Sequence, residues 1–352
     1  MIALDAMGGD FAPYATVAGA VRAAQNGIPI SLFGNEKKII PLLFKAYSRW
    51  EQLPILIVHC SQTISMYDQA SRSVIQQKNS SLVRAIQSVA QGDNQAVVSA
   101  GNSGATLVAA TLLLERARGV LRPAIGNFIP TKKSSLFCID LGANADCKPE
   151  FLEQFGYMGA VYVRMIRAIQ DPRVALLSNG EEPYKGSVLV KNAYQLLEKS
   201  DLNFVGNVQS REMFDDKADV LVCDGFSGNI LLKGIQGTAG LIKHWLADQA
   251  RRSWFHRLYF ALGYSIFKQL SLRSDYAKKA GALLLGVNYP LVVAHGCSSA
   301  DAIEQSIYFA HHVAREKFIN SFNKQFFAVI NKNPFNILPI SHQLRSFFDM
   351  HA

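Results

Sequence analysis

Short, unbroken apolar runs alternate with longer segments of helical character along this chain. Ile2–Leu4, Ile28–Phe33, Ile55–Val58 and Ala96–Val98 are such runs in the first hundred residues. Leu136–Asp140, Val174–Leu177, Asn203–Val205, Val220–Cys223 and Leu291–Ala294 repeat the pattern later. Most are continuous rather than alternating, as strands buried on both faces must be. Between them lie helical segments. Pro13–Asn26 has proline at its start and Gly27 just past its end, the expected polarity of helix punctuation. Another helix runs to about Arg116 from the glycine-rich stretch after Val98. Strands interleaved with helices predict a mostly parallel sheet covered by helices on both sides. There is no internal repeat and no low-complexity linker.

The polar positions fall where a parallel sheet binds its ligands, beyond the carboxyl ends of strands. Asp5-Ala-Met-Gly-Gly-Asp10, Ser99-Ala-Gly-Asn-Ser-Gly104, Asp140-Leu-Gly-Ala-Asn144, Asn179-Gly-Glu-Glu182, Asp224-Gly-Phe-Ser-Gly-Asn229 and His295-Gly296 each follow a predicted strand. Their convergence on one cleft is the central expectation.

Composition narrows the class. The chain has 352 residues, of which 49% are hydrophobic, enough to bury a sizeable core. Five scattered cysteines form no CxxC pair, which excludes a disulfide framework and a structural zinc site. The first ten residues carry no basic leader, and no apolar run reaches the roughly 18 residues of a spanning helix. A protein of the cytosol, at most lying on a membrane surface, is expected. Net charge is +9. Residues 241–280 hold eight Lys or Arg against Asp248 and Asp275, so this stretch alone carries +6. Such a patch suits an acidic partner.

Chemistry attaches to particular residues. Around Ser99–Gly104, glycines let backbone N–H groups approach an anion at a helix N-terminus. The bland alternative is a tight turn with a cap. No dinucleotide or P-loop fingerprint is present. Asp5 and Asp10 flank a glycine pair, and loop shaping with substrate hydrogen bonding fits them better than metal ligation. Asn229 is placed to donate its amide to a developing oxyanion. Ser227 lacks the G-x-S-x-G context of a nucleophile and reads as an N-cap. Lys185 is the residue suited to hold phosphate if its charged loop enters the cleft. His295 ends a buried strand, where a structural hydrogen bond is the plain alternative to catalysis. His311-His312 are neighbours on a C-terminal helix. Trp254, Leu258, Leu262, Ile266 and Leu270 recur every four residues, with Phe255, Tyr259 and Phe267 nearby and basic residues flanking. That stripe fits a membrane-interface helix or a dimer contact.

In chain order these clusters resemble the phosphate acyltransferase (PlsX) family. The resemblance rests on Asp5–Asp10, Ser80-Ser81-Leu82, Val98–Ala105, Arg122-Pro-Ala124, Asp140–Asn144 with Cys147, and Gln154-Phe155 with Gly159. Asn179–Glu182 with Lys185-Gly186, Gly206-Asn207, Asp219, Cys223–Asn229 with Leu232-Lys233, Leu284-Leu-Gly286 and His295-Gly296 complete it. It covers residues 1 to about 320. Ser103 and Ser227 stand where the family has threonine. Ala70 and Ile75 replace a proline and an arginine, and Lys279–Ala282 replaces a Tyr-Gly-Gly-Ala.

The resemblance implies a three-layer α/β/α fold like isocitrate and isopropylmalate dehydrogenases and phosphotransacetylase. It also implies a homodimer. It implies acyl transfer from acyl-acyl carrier protein to inorganic phosphate, giving acyl phosphate for phospholipid synthesis, without a cofactor, a metal or nucleic acid. The expected location is the cytoplasm, peripherally at the inner face of the cell membrane beside the glycerol-3-phosphate acyltransferase. The expected catalytic residues are Lys185, Asn229 and His295. The expected substrate-binding set is Asp5, Gly8, Gly9, Asp10, Ser99, Gly101, Asn102, Ser103, Gly104, Asn144, Asp224, Gly225 and Ser227. Trp254, Phe255, Leu258, Leu262 and Phe267 are expected to meet membrane or partner. Residues 1–320 form the expected domain, with 241–280 as a basic amphipathic helical excursion and 321–352 as an unassigned tail. Two other readings stay open: an NAD-linked decarboxylating dehydrogenase, which lacks its metal-carboxylate cluster here, and an inactive membrane-surface scaffold.

Overall fold

The computed structural model describes residues 1–251, 263 and 281–331. Its strands are β1 (Ile2–Asp5), β2 (Ile30–Gly34), β3 (Ile55–His59), β4 (Ala96–Ser99), β5 (Ala124–Pro130), β6 (Ser135–Ile139), β7 (Val174–Ser178), β8 (Phe204–Gln209), β9 (Val220–Val222), β10 (Ala282–Leu285) and β11 (Leu291–Val293). All nine strands expected from the apolar runs are present; β5 and β10 are additional. They form one sheet in the order β3-β2-β1-β4-β11-β10-β5-β6-β9-β7-β8. Seven of its ten pairings are parallel; β10 with β11, β10 with β5 and β5 with β6 are antiparallel.

The antiparallel steps reverse chain direction across the middle of the sheet. On one side β3, β2, β1, β4 and β11 run one way, and β5 runs with them. The strands β10, β6, β9, β7 and β8 run the other way. The register then brings the two sets together. A single row of paired residues crosses all the strands: Ile57, Leu32, Leu4, Val98, Val292, Leu283, Gly126, Ile139, Val222, Leu176 and Asn207. β1, β4, β11, β6, β9 and β7 all end within two residues of this row. Carboxyl ends from both directions therefore gather along one line.

Period-two alternation sorts the strand residues between two cores. Leu4, Val98, Val292, Leu283, Ile139 and Val222 face one cluster. It is covered by α1 (Tyr14–Gln25), α2 (Glu36–Ala46), α6 (Pro149–Arg167), α7 (Val188–Lys199), α9 (Ala300–Arg315) and α10 (Phe318–Ile330). Ala3, Val97, Leu284, Ile125, Cys138 and Leu221 face the other. There α3 (Ala70–Gln76), α4 (Ser81–Ala90), α5 (Ser103–Leu113) and the start of α8 (Gly225–Arg251) pack. These are the three α/β/α layers. Helix starts are set by polar caps: Asn35, Ser80, Asn102, Ser187 and Ser299 each accept from an N–H in the first turn.

The boundary expected at 320 falls inside α10. Phe318, Phe322 and Phe326 are fully buried, with Phe318 and Phe322 packed edge-on to Tyr162 of α6. Aromatic burial of this size makes residues up to 330 part of the packed unit. The expected excursion at 241 begins inside α8, which continues unbroken to Arg251. Trp254, Phe255, Leu258, Leu262 and Phe267 lie outside the described residues. Among the described residues no helix is long and apolar enough to cross a membrane.

Candidate active site

One wall is built from the loops after β1, β4 and β11. Asp5 ends β1 fully buried, and its carboxylate accepts from Ser99 Oγ at 2.9 Å and from Met7 N at 3.3 Å. Ser99 Oγ in turn accepts from Gly101 N at 3.1 Å. Burial pushes the Asp5 carboxyl above its ordinary range, and these hydrogen bonds oppose the shift. A β-carbon on Gly8 would stand 2.4 Å from Asp5 Oδ2 and 2.8 Å from Gly101 N, so only glycine lets the two loops close. Asp10 N donates to the Gly296 carbonyl at 2.7 Å, tying the β1 loop to the residue after His295.

Asn102 is spent on this wall. Its side-chain oxygen caps α5 by accepting from Ala105 N at 3.0 Å. Its amide donates to the carbonyls of Met66 and Asp68 at 3.2 and 3.1 Å, holding that loop over the site.

The other wall comes from β6, β9 and α8. Asp140 is fully buried, and burial raises its pKa. Its two oxygens accept from the backbone of Ile125, Gly142, Ala143 and Asn144 and from the Asn144 side chain, at 2.7–3.2 Å. Asn144 also donates to the Pro123 carbonyl at 2.8 Å, and its own carbonyl receives Gly225 N at 2.7 Å. The loop 140–144 is thereby fixed as a seat for the first turn of α8. Asp224 caps that helix: it accepts from Ser227 N at 2.8 Å and from Ser227 Oγ at 2.7 Å. The cap is Asp224 and not Ser227, because the helix starts one residue after the aspartate, and the serine hydroxyl is engaged by it.

Between the walls lies a cavity of about 160 Å³. At roughly 10–15 Å³ per water it has room for an anion and the reacting end of a substrate. Its polar lining is Ser103, Asn127, Asn229, Lys233 and His295. Met66, Ile125, Leu141, Leu232 and Val293 supply apolar surface. Gly142 lies against the Asn229 side chain, and Gly296 completes the His295 end. No carboxylate lines the cavity among the described residues. A cation, an amide and an imidazole in such a setting suit an anionic nucleophile and a carbonyl that becomes an oxyanion. His295 Nε2 lies 3.3 Å from the Gln236 amide nitrogen.

Of the expected residues, Asn229, His295 and Ser103 line the cavity. Asp5, Gly8, Gly9, Asp10, Ser99, Gly101, Asn102 and Gly104 form the wall behind Ser103 and Gly296. Asn144, Asp224, Gly225 and Ser227 form the seat of α8. Lys185 is not in the lining. It sits exposed on the loop after β7, its ammonium 5.7 Å from the Tyr184 ring centre, and the loop folds back so that Lys185 N meets the Glu182 carbonyl at 3.0 Å. The lysine that lines the cavity is Lys233. Its spacing of four from Asn229 on one helix was the signal available in the sequence. Asn127 and Met66 carried none, since one lies on a strand not expected and the other in an unpatterned loop.

Four of the five cysteines are held as thiols. Burial pushes the Cys60 thiol to about 11 and Cys147 to about 12, and raises Cys138 and Cys223 as well. None of the four is a thiolate at neutral pH.

Residues 1–321 match the family described as fatty acid synthesis protein. A phosphate acyltransferase of Geobacter sulfurreducens is 41% identical over 316 residues, covering 90% of this chain and 91% of that protein. The phosphate acyltransferase of Pelotomaculum thermopropionicum is 42% identical over 320 residues, 91% and 92% of the two chains. That of Syntrophotalea carbinolica is 41% identical over 338 residues, 95% of each. A solved phosphotransacetylase from Streptococcus pyogenes shares the fold at a TM-score of 0.57 and 17% identity, covering 90% of this chain and 94% of its own. A branched-chain phosphotransacylase from Enterococcus faecalis does so at 0.52 and 16%, covering 89% and 99%. The family read from the strand-end motifs is thus the one found by comparison along nearly the whole chain: this protein belongs to the fatty acid synthesis protein family, the acyltransferases named phosphate acyltransferase.

Proposed function

We propose that this enzyme transfers a fatty acyl group from an acyl-acyl carrier protein thioester to inorganic phosphate, giving acyl phosphate. Phosphate is already an oxyanion at neutral pH and needs placement more than a base. It must come within about 3–3.5 Å of the thioester carbon. Lys233 and the N–H groups at the start of α5, beside Ser103, hold it. A phosphate oxygen attacks the carbonyl carbon, and Asn229 donates to the resulting oxyanion. The C–S bond then breaks. The thiolate takes the proton that phosphate gives up, by way of His295. No acyl-enzyme is needed, in keeping with the raised thiols and the engaged Ser227 hydroxyl. Lys233 takes the role first expected of Lys185.

The observation that carries this reading is the single cavity where Lys233, Asn229 and His295 meet between loops from both strand directions. The test is to mix the protein with acyl-acyl carrier protein and phosphate and trap acyl phosphate with hydroxylamine. Phosphate-dependent acyl hydroxamate is expected. Its absence, with the carrier thioester intact, overturns the reading.

We infer further that the product feeds phospholipid synthesis through a glycerol-3-phosphate acyltransferase, and that the protein works as a homodimer at the inner membrane face. Exposed Phe226, Ile230, Leu241, Ile242 and Trp245 along α8, followed by the basic stretch to residue 280, support a partner or lipid surface there. The same basic stretch suits an acidic carrier protein.

A further inference from the structure

Helix α8 does more than deliver Asn229. Asn229, Lys233 and Gln236 are spaced by four and three residues, which puts them on one face of the helix. The first two line the cavity. The third, half-buried, brings its amide nitrogen to 3.3 Å from His295 Nε2. An amide nitrogen has no lone pair to offer. With the amide nitrogen turned to the ring, as it stands here, the imidazole nitrogen must accept, and a neutral ring that accepts at Nε2 carries its proton on Nδ1.

We propose that Gln236 is the positioning residue of this site: its side-chain amide fixes the Nδ1–H tautomer of His295 and so selects the ring nitrogen that gives the proton to the leaving thiolate. This rests on the acyl-transfer reading above. Glutamine suits the task because its amide has a donor end and an acceptor end. Presented by its NH2, it serves the neutral ring; turned over, its oxygen accepts from Nε2–H once the ring is protonated. Leucine at this position serves neither state. In the reaction the proton that phosphate loses enters at Nε2 as the Nδ1 proton passes to sulfur, so the ring stays neutral, no proton is left over, and exchange with solvent returns the Nδ1–H form. Gln236 touches no reacting atom and acts through His295 alone.

The test is spectroscopic and does not need turnover. Long-range proton–nitrogen correlation of the full-length protein, at a pH where the ring is neutral, reads the tautomer; the His295 signals are assigned by their loss in His295→Gln. The native protein is expected to show Nδ1–H with an unprotonated Nε2. Gln236→Leu is expected to move the ring toward the Nε2–H form that free histidine prefers. In the same variant kcat falls by about tenfold or more, the scale of a misplaced acid–base group, while KM for phosphate changes by less than about twofold. An Nε2–H ring in the native protein overturns the proposal. So does a tautomer unchanged in Gln236→Leu, even if kcat falls, because the contact is then structural only. If no acyl phosphate forms at all, the tautomer result still stands and the failure belongs to the assigned reaction.

Discussion

A β-carbon on Gly228 would stand 1.9 Å from the carbonyl oxygen of Asp140. Helix α8 therefore rests directly on the backbone that ends β6, and the position of Asn229 follows from that contact. The neighbouring atom is backbone, with nowhere to retreat. Gly228→Ala must lift the first turn of α8. Destabilisation of a few kcal/mol is expected, together with loss of most activity. Thermal unfolding and hydroxamate formation report the two effects; a variant of native stability and rate removes the idea that this seat sets the site.

Two lysines compete for the phosphate. Lys233→Ala is expected to raise KM for phosphate at least about tenfold, as loss of a binding cation does without disturbing the fold. Asn229→Ala should lower kcat by about 10²–10³, the usual cost of one oxyanion donor. Lys185→Ala, on its exposed loop, should leave both constants within about twofold. Steady-state kinetics with varied phosphate separates these outcomes, and a Lys185 effect larger than that of Lys233 returns the role to the β7 loop.

The Ser99–Asp5 pair makes the fold sensitive to pH. Burial raises the folded-state pKa of Asp5 above its ordinary 3.8, and the Ser99 hydroxyl pulls it back down. A raised carboxyl binds its proton more tightly folded than unfolded. The stability it confers is complete below pH 3.8 and is lost as pH climbs through the folded value. Ser99→Ala raises that folded value further, so its penalty is larger at neutral pH than in acid. Loss of the hydrogen bond to a buried charge sets the neutral-pH scale at about 1–3 kcal/mol. Urea unfolding at pH 4.5 and 7.5 checks the sign, and an equal penalty at both refutes it.

Past residue 320 the chain still carries core. Phe322→Ala removes a fully buried ring stacked between Phe318 and Phe326. A loss of about 3–5 kcal/mol is expected, with kinetic constants little changed in the folded fraction. Chemical denaturation gives the first and assay below the unfolding transition the second.

Most strands that were legible in the sequence are buried on both faces, where nothing interrupts the apolar run; the edge strands β3 and β8 were legible although partly exposed. The two that were not, β5 and β10, are the antiparallel pair at the centre; β10, Ala-Leu-Leu-Leu, is itself an unbroken apolar run, so the disrupted pattern belongs to β5 alone. β5 reads Ala-Ile-Gly-Asn-Phe-Ile-Pro. Its Ile125 and Asn127 point into the cavity, while Gly126 faces the Phe137 ring on the opposite side. Lining a polar site disrupts the very pattern that announces a strand. Lys185 and Lys233 teach the complementary lesson. Both stand in polar, strand-end company in sequence, but only a helix axis says which of them returns to the site. The Asp224 cap was hidden similarly, since capping depends on where the helix starts, to a single residue.

The strand order has one more consequence. Among the described residues the last two strands in chain order, β10 and β11, are the middle of the sheet: they stand between β4 and β5 and join the two sides. Until they dock, the chain up to residue 222 has two half-built sheets, each with an open edge. His295 arrives with the same segment. The cavity that His295 lines is therefore incomplete until β10 and β11 have been made, and a chain that stops short of them has exposed, adhesive edges in its place. Pairing between segments this far apart in the chain is slow in general, so closure of the centre is expected to come late in folding.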